Sequence, residues 1–510
     1  MGGIGARRGK GCGPHVVLFI CDQMQYRRQG RVDPQAYTPH LDRLAAENVF
    51  FTHYHAANGQ CVPSRVAMQT GLYPHEAGVM IIYGFHGHTA HLTGEQRTVG
   101  HVLRDVGYTT AYFGKTHFGA PLAELGYEHG WEGRRPAGAD EGEGPGRRAN
   151  AADGPGGRAG ERAHRRNSAT DRQIVDRALA FLAEHDPAEP LFLTVSIHEP
   201  HPPFEVVDAY AERFSENELR LPRSFYEDDL SGKPAYQREH ALDGRHGYAD
   251  AGAENEARAR DELRRYYTMI AHVDQLFGEV RAALEGKGMW DEAAVAFTSD
   301  HGDMMGAHRT RLKGTVPYDE IFRIPFVLKL PASAPRPRRQ VVDDLAVNVS
   351  QPGTLVEAAG LPLPAELLGG SVVPLVYRER RPEREAVFYE HYGAYWGLHP
   401  FRAVRVRDAR RGEWKLAKYY GPDSGEAELY DLAADPDELR NRAHEPELAA
   451  WRTDLERKVD EWWRRTGGRD FSYYESPEFK LSGAATLLDG LHGRDVPTHG
   501  DAPAASGIGR

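Results

Sequence analysis

Cysteine is nearly absent from this chain, with three among 510 residues, at positions 12, 21 and 61. So few thiols exclude a disulfide framework as the source of stability. No apolar run reaches membrane-spanning length, and the run His15–Cys21 is short enough to be a strand. Residues 1–13 are rich in Gly and Arg and lack an apolar h-region, so no export signal is read; the expectation is a cytoplasmic protein with no membrane partner. Positive charge is in deficit: 63 Lys and Arg against 74 Asp and Glu give a net charge of -11, which argues against nucleic acid as a partner. No internal repeat is visible.

What the chain does have is a set of four apolar runs, each ending in polar residues of catalytic type. They are His15–Cys21 before Asp22 and Gln23, Thr109–Phe113 before Lys115 and His117, Leu191–Ile197 before His198 and His201, and Ala293–Thr298 before Asp300 and His301. Continuous apolar runs of this kind predict buried parallel strands. Ligands of open α/β sheets bind beyond the carboxyl ends of the strands, so these four ends are expected to converge on one site. Helical segments alternate with them. Thr38 is positioned to cap a helix that starts at Pro39 and runs to about Asn48, Thr98–Val106 stops at Gly107, and Asp171–Glu184 and Arg258–Leu284 carry apolar residues at helical spacing.

The fold class expected is therefore α/β, a large mostly parallel sheet covered by helices on both faces, with a smaller C-terminal α+β subdomain. A catalytic domain is expected over 1–375, the subdomain over 376–470 and a poorly patterned tail over 471–510. The subdomain follows from short β-like runs at Ala386–Tyr389, Phe401–Arg405 and Trp414–Ala417 and a helix near Ala449–Trp463. Residues 134–166, dominated by Gly, Ala, Arg and acidic residues, cannot bury enough surface to offset their ordering entropy and read as a disordered insertion rather than a binding arm. Ser231–Glu256 has a similar polar character and reads as a loop.

Cys61-Val62-Pro63-Ser64-Arg65 is the most informative stretch. A lone cysteine is usually a small buried hydrophobe, but this one sits in a sequence that resembles the C-x-P-S-R signature of type I sulfatases, members of the alkaline phosphatase superfamily. The resemblance continues through Thr70–His75, Gly114-Lys115-Thr116-His117, Pro200-His201-Pro202-Pro203, Thr298–Asp303, and Glu428–Leu432 with Asp435-Pro436, and covers most of residues 14–445. It implies that a formylglycine-generating enzyme oxidises Cys61 to formylglycine, whose hydrated form is the nucleophile. It also implies that Pro63 and Arg65 are read by that enzyme and that Arg65 stays near the modified residue. A gem-diol suits sulfate ester cleavage, since one hydroxyl takes the sulfuryl group and deprotonation of the other expels sulfate, whereas a serine or thiol would be left sulfated. Pro63–Gln69 is helix-compatible, so residue 61 is expected at a helix N-terminus, where free N–H groups favour anions.

The resemblance also implies a divalent-metal set of Asp22, Gln23, Asp300 and His301. Hard oxygen donors place Ca²⁺ first, while the amide and the imidazole in place of further carboxylate or amide ligands keep Mg²⁺ and Mn²⁺ open. Lys115 and Lys313 are expected to face the non-bridging oxygens, His117 to take the proton of the second hydroxyl, and His201 or Lys313 to act as general acid at the leaving oxygen. His198 is expected to contact substrate. His86, His88 and His91 lack the spacing of a zinc motif and are read as a solvated loop near the pocket. The function implied is hydrolysis of a small-molecule sulfate monoester, with aryl, choline-like and carbohydrate sulfates all open. The alternative is a phosphonate monoester or phosphodiester hydrolase with the same nucleophile, which shares the Asp-Gln and Asp-His pairs; Lys115-x-His117 favours the sulfatase.

Overall fold

The computed structural model describes residues 13–132, 167–244, 246–378, 384–394 and 397–482. The stretch 134–166 and the tail beyond 482 lie outside the described residues. In chain order the strands are β1 (His15–Cys21), β2 (Val49–Phe51), β3 (Tyr54–His55), β4 (Thr109–Gly114), β5 (His129–Trp131), β6 (Leu191–Ser196), β7 (Ala293–Ser299), β8 (Phe326–Lys329), β9 (Val341–Val342), β10 (Ala346–Val347), β11 (Arg384–His391), β12 (Phe401–Asp408), β13 (Gly412–Tyr419) and β14 (Ala427–Asp431). Eight of them form one sheet in the order β5-β4-β6-β1-β7-β8-β2-β9. Its pairs are parallel except where β8 meets β7 and β2, so β8 alone runs against the rest. The four apolar runs are thus neighbours, β4, β6, β1 and β7, and their carboxyl ends lie side by side.

Both faces of this sheet are covered, as the alternation along β1 requires. Val17, Phe19 and Cys21 face a core shared with the helices Pro39–Glu47, Asn167–Glu184 and Ala253–Gly286. Val16, Leu18 and Ile20 face the other core, shared with the helices Cys61–Thr70, Val99–Asp105 and Gln351–Ala358. Each fully buried Leu, Ile or Phe contributes about 1.5–3 kcal/mol of transfer free energy, so the sheet is a rigid base for whatever its strand ends carry. In the C-terminal region β11 to β14 form a separate antiparallel sheet, backed by the helix Ala449–Arg465. Among the described residues no helix is long and apolar enough to cross a membrane, and Cys21 and Cys61 are both buried free thiols.

Two local expectations are corrected. Thr38 precedes the helix Pro39–Glu47 but its side chain does not cap it; the hydroxyl donates to Asp42 and accepts from the Gly30 N–H. The free amides of His40 and Leu41 go instead to the Asp274 carboxylate of the long helix Ala253–Gly286, at 3.0 and 2.7 Å. A tertiary partner has replaced the local cap. The polar stretch Ser231–Glu256 is not all loop either: Ala235–Leu242 is helical, with Tyr236, Gln237 and Ala241 turned inward.

Candidate active site

Cys61 is the first residue of the helix Cys61–Thr70. Pro63 fits there because its missing N–H falls among those that a helix start leaves unpaired, and Gly71, at φ 74°, ends the helix in a left-handed turn that a side chain would strain. The Cys61 side chain is buried, with its sulfur facing the strand ends. Lys313 Nζ lies 2.9 Å from Sγ, His301 Nε2 3.2 Å, and Asp22 Oδ1 and Lys115 Nζ each 3.9 Å. Burial and Asp22 push the thiol up, yet Lys115, Lys313 and His301 together pull it well below the usual range. The position favours an anion.

Arg65, one turn further along that helix, binds the strand ends together. Its guanidinium donates to Asp300 Oδ2 (2.7 Å), Asp22 Oδ2 (2.9 Å), Ser196 Oγ (2.8 Å) and the Lys115 carbonyl (3.0 Å), so it touches the ends of β7, β1, β6 and β4 at once. The second oxygen of Asp300 accepts the N–H groups of Gln23 and His301. Burial raises the Asp22 carboxyl, but Lys115, His201 and Arg65 more than offset it and hold it well below the ordinary carboxylate range.

Asp22, Cys61, Asp300 and His301 each offer one ligand atom, and these atoms lie within 4.8 Å of one another. His301 Nδ1 bonds the Gly302 carbonyl at 2.9 Å, which turns Nε2 toward the group as the nitrogen available to a metal. Gln23, at φ 74°, is oriented by its amide N–H₂ donating to Asp303, and its Oε1 accepts from Lys313 at 3.2 Å. Carboxylates, an amide oxygen and one imidazole fit a divalent cation.

Lys115 pairs with Asp22 at 2.6 Å. His117 stands beside Cys61, and burial keeps it below the usual histidine range against the opposing pull of the Cys61 sulfur, which leaves a neutral imidazole able to take a proton. Tyr83 packs edge-on against it at 5.9 Å between ring centroids. His201 donates from Nδ1 to the Pro202 carbonyl at 2.7 Å, so its Nε2 accepts from Lys313 at 3.3 Å. Burial and Lys313 lower His201 to about 4. Lys313 itself is held charged: burial opposes the charge, but Cys61 and Asp22 outweigh it.

Of the residues singled out from sequence, Asp22, Gln23, Cys61, Arg65, Lys115, His117, His201, Asp300, His301 and Lys313 are brought together. His198 stands at the rim with 26 % of its side chain exposed, its Nδ1 tied to Asp171 at 2.8 Å. His86, His88 and His91 do not gather: His86 binds the Ala394 carbonyl, His91 the Thr89 carbonyl, and His88, expected in solvent, is buried between Tyr392 and Phe479. The loop carrying them is held by the last described segment, with Thr89 N donating to the Lys480 carbonyl at 3.0 Å. Sequence reading assigned no role to Asp303, Ser196, Asp171 or Asn348, which donates to Ser64 beneath Asp300. Asp303 carried a signal, as part of the Thr298–Asp303 motif; the others carried none.

The Sulfatase family model matches residues 14–361, and that for the N-sulphoglucosamine sulphohydrolase C-terminal region matches 308–465. The multifunctional alkaline phosphatase superfamily protein PehA of Trinickia caryophylli is 27 % identical over 91 % of this chain and 97 % of its own length. The solved structure of BT4656 in complex with its substrate D-glucosamine-2-N,6-O-disulfate superposes with TM-score 0.70 at 21 % identity, covering 89 % of this chain and 98 % of that one. The phosphonate monoester hydrolase of Agrobacterium radiobacter superposes with TM-score 0.66 at 22 % identity, covering 90 % and 97 %. The chain belongs to the sulfatase family of the alkaline phosphatase superfamily. It is a sulfuric ester hydrolase.

Proposed function

We propose that this enzyme hydrolyses a small-molecule sulfate monoester at residue 61, after a formylglycine-generating enzyme has converted Cys61, and with one divalent cation held by Asp22, Gln23, Asp300 and His301. The observation that carries this is the position of the Cys61 sulfur, at a helix N-terminus and within 3.9 Å of Lys313, His301, Asp22 and Lys115. Formylglycine supplies, in its hydrated form, one hydroxyl that attacks sulfur and a second whose deprotonation frees sulfate. Held by Asp22, Gln23, Asp300 and His301, a divalent cation, Ca²⁺ before Mg²⁺ or Mn²⁺, would supply Lewis acidity to the reaction.

The chain's own residues do the rest. Lys115 and the helix N-terminus stabilise negative charge on the non-bridging oxygens. His117, neutral and beside residue 61, accepts the proton of the second hydroxyl. Lys313 carries the proton delivered to the leaving oxygen. His201 has its only free nitrogen turned toward Lys313 as an acceptor, so it orients that lysine. Arg65 neutralises the paired carboxylates and fixes their spacing, and His198 contacts the substrate at the rim.

Gln23 and His301 are also compatible with phosphonate monoesters, but a cationic Lys115 and a basic His117 at residue 61 suit sulfate elimination better. Purified enzyme, co-expressed with a formylglycine-generating enzyme, should be assayed against aryl, choline and carbohydrate sulfates and against phenylphosphonate monoesters. A sulfate should give the highest kcat/KM; a phosphonate hydrolysed far faster than every sulfate would replace this reading with the alternative.

A further inference from the structure

Lys313 sits on a stretch with little regular structure of its own. Its neighbours Leu312 and Gly314 have φ of 59° and 46°, a left-handed backbone that a leucine adopts only when its surroundings impose it. The surroundings are four anchors. Met304 N donates to the Leu312 carbonyl at 2.8 Å, Gln60 Nε2 to the Gly314 carbonyl at 3.2 Å, and the Tyr236 hydroxyl to the Thr315 carbonyl at 2.8 Å. The fourth is the Tyr318 hydroxyl, which donates to Gln237 Oε1 at 2.5 Å.

Tyr236 and Gln237 belong to the helix Ala235–Leu242, and that helix is tied to the C-terminal sheet by a buried carboxylate. Glu428 of β14 is fully buried. Gln237 Nε2 donates to its Oε1 at 2.8 Å, and the hydroxyls of Tyr419 and Tyr430 also donate to it. With Glu428 as the acceptor of these three donors, the Gln237 amide turns its N–H₂ toward the carboxylate and leaves its Oε1 for Tyr318. The Tyr419 hydroxyl, committed to Glu428, lies 3.1 Å from that of Tyr236. Lys233 donates in turn to the Tyr430 hydroxyl at 2.7 Å, and a satisfied buried network of this kind specifies one geometry, while a broken one leaves a costly unpaired group.

We infer that Glu428 is a positioning residue for Lys313, acting across the junction between the two sheets through Gln237, Tyr318 and Tyr236, so that the C-terminal sheet sets the reach of the group that protonates the leaving oxygen. This rests on the reading of Lys313 given above. It assigns a role to the Glu428–Leu432 motif, which lies outside the reacting group.

Two measurements test it. In Tyr236→Phe, hydrogen exchange followed by mass spectrometry should show faster exchange in peptides covering 304–318, with the sheet strands β1 and β7 unchanged; unchanged exchange in 304–318 overturns the inference without recourse to activity. Turnover of phenyl sulfate and 4-nitrophenyl sulfate supplies the second readout, because loss of a general acid hurts the poorer leaving group more. Tyr236→Phe and Glu428→Gln should lower kcat/KM for phenyl sulfate at least about tenfold more than for 4-nitrophenyl sulfate, with metal content unchanged. Lys313→Ala should show the same asymmetry, enlarged. Equal losses on both esters in Tyr236→Phe and Glu428→Gln, beside an asymmetric Lys313→Ala, overturn the inference. Equal losses in Lys313→Ala itself overturn the general-acid reading of Lys313 instead, and the exchange experiment then decides the positioning alone. Tyr236→Phe removes a single hydroxyl, so the test stands even if Glu428→Gln fails to fold.

Discussion

Arg65 donates through Nε to Asp300 at 2.7 Å while its terminal nitrogens hold Asp22, Ser196 and the Lys115 backbone. One side chain, 1 % exposed, therefore sets the spacing between the ends of four strands. Breaking a buried pair leaves uncompensated charge, so Arg65→Ala should cost about 3–5 kcal/mol of stability. Thermal unfolding checks this, and a variant as stable as the parent would show that the carboxylates do not depend on the guanidinium.

Cys61 is expected to be formylglycine in active enzyme. Mass spectrometry of the peptide containing it should show the mass difference between cysteine and formylglycine, and Cys61→Ala should abolish turnover with the fold intact by circular dichroism. Full activity from enzyme whose residue 61 is still a thiol would refute the assignment.

One divalent cation per chain is expected, about one equivalent by elemental analysis. Asp300→Ala should lose both metal and activity, because that carboxylate also orients the Gln23 and His301 amides. Activity that survives exhaustive chelation would count against the metal set.

His117→Ala should separate the two halves of the reaction. Leaving-group release is expected as a burst stoichiometric with enzyme, followed by little turnover, since the base for the second step is gone. A slow linear time course without a burst would place His117 in the first step.

Lys115→Ala should lower kcat/KM on the order of 10²-fold or more, by analogy with loss of an oxyanion donor. Lys115 also pairs with Asp22, so metal content must be measured beside the rate. A loss fully recovered at high metal concentration would assign the lysine to cation retention rather than to the sulfuryl oxygens.

The parts of this molecule that were readable in sequence are those that depend on local composition. His15–Cys21 and the other three apolar runs are strands because runs this short, apolar throughout, suit a sheet buried on both faces better than a helix, and polar residues follow their ends. Asp303 and Gln23 are 280 positions apart, and no period or spacing reports such a pair. The same holds for Asp274, which took over the capping expected of Thr38, and for the Asp171–His198 pair. The helix Ala235–Leu242 was hidden for a different reason. It is short, lies in a polar stretch, and is held by the side-chain bonds of Tyr236 and Gln237 rather than by a wide apolar face.

The loop of His86, His88 and His91 is pinned by Lys480 and Phe479, and the same loop presents Tyr83 to His117. The loop beside His117 is thus held by residues about as far from Cys61 in the chain as any described. A substitution at Phe479 or Lys480 would therefore be felt first at His88 and Thr89, on the loop that also carries Tyr83, rather than at the chain's end.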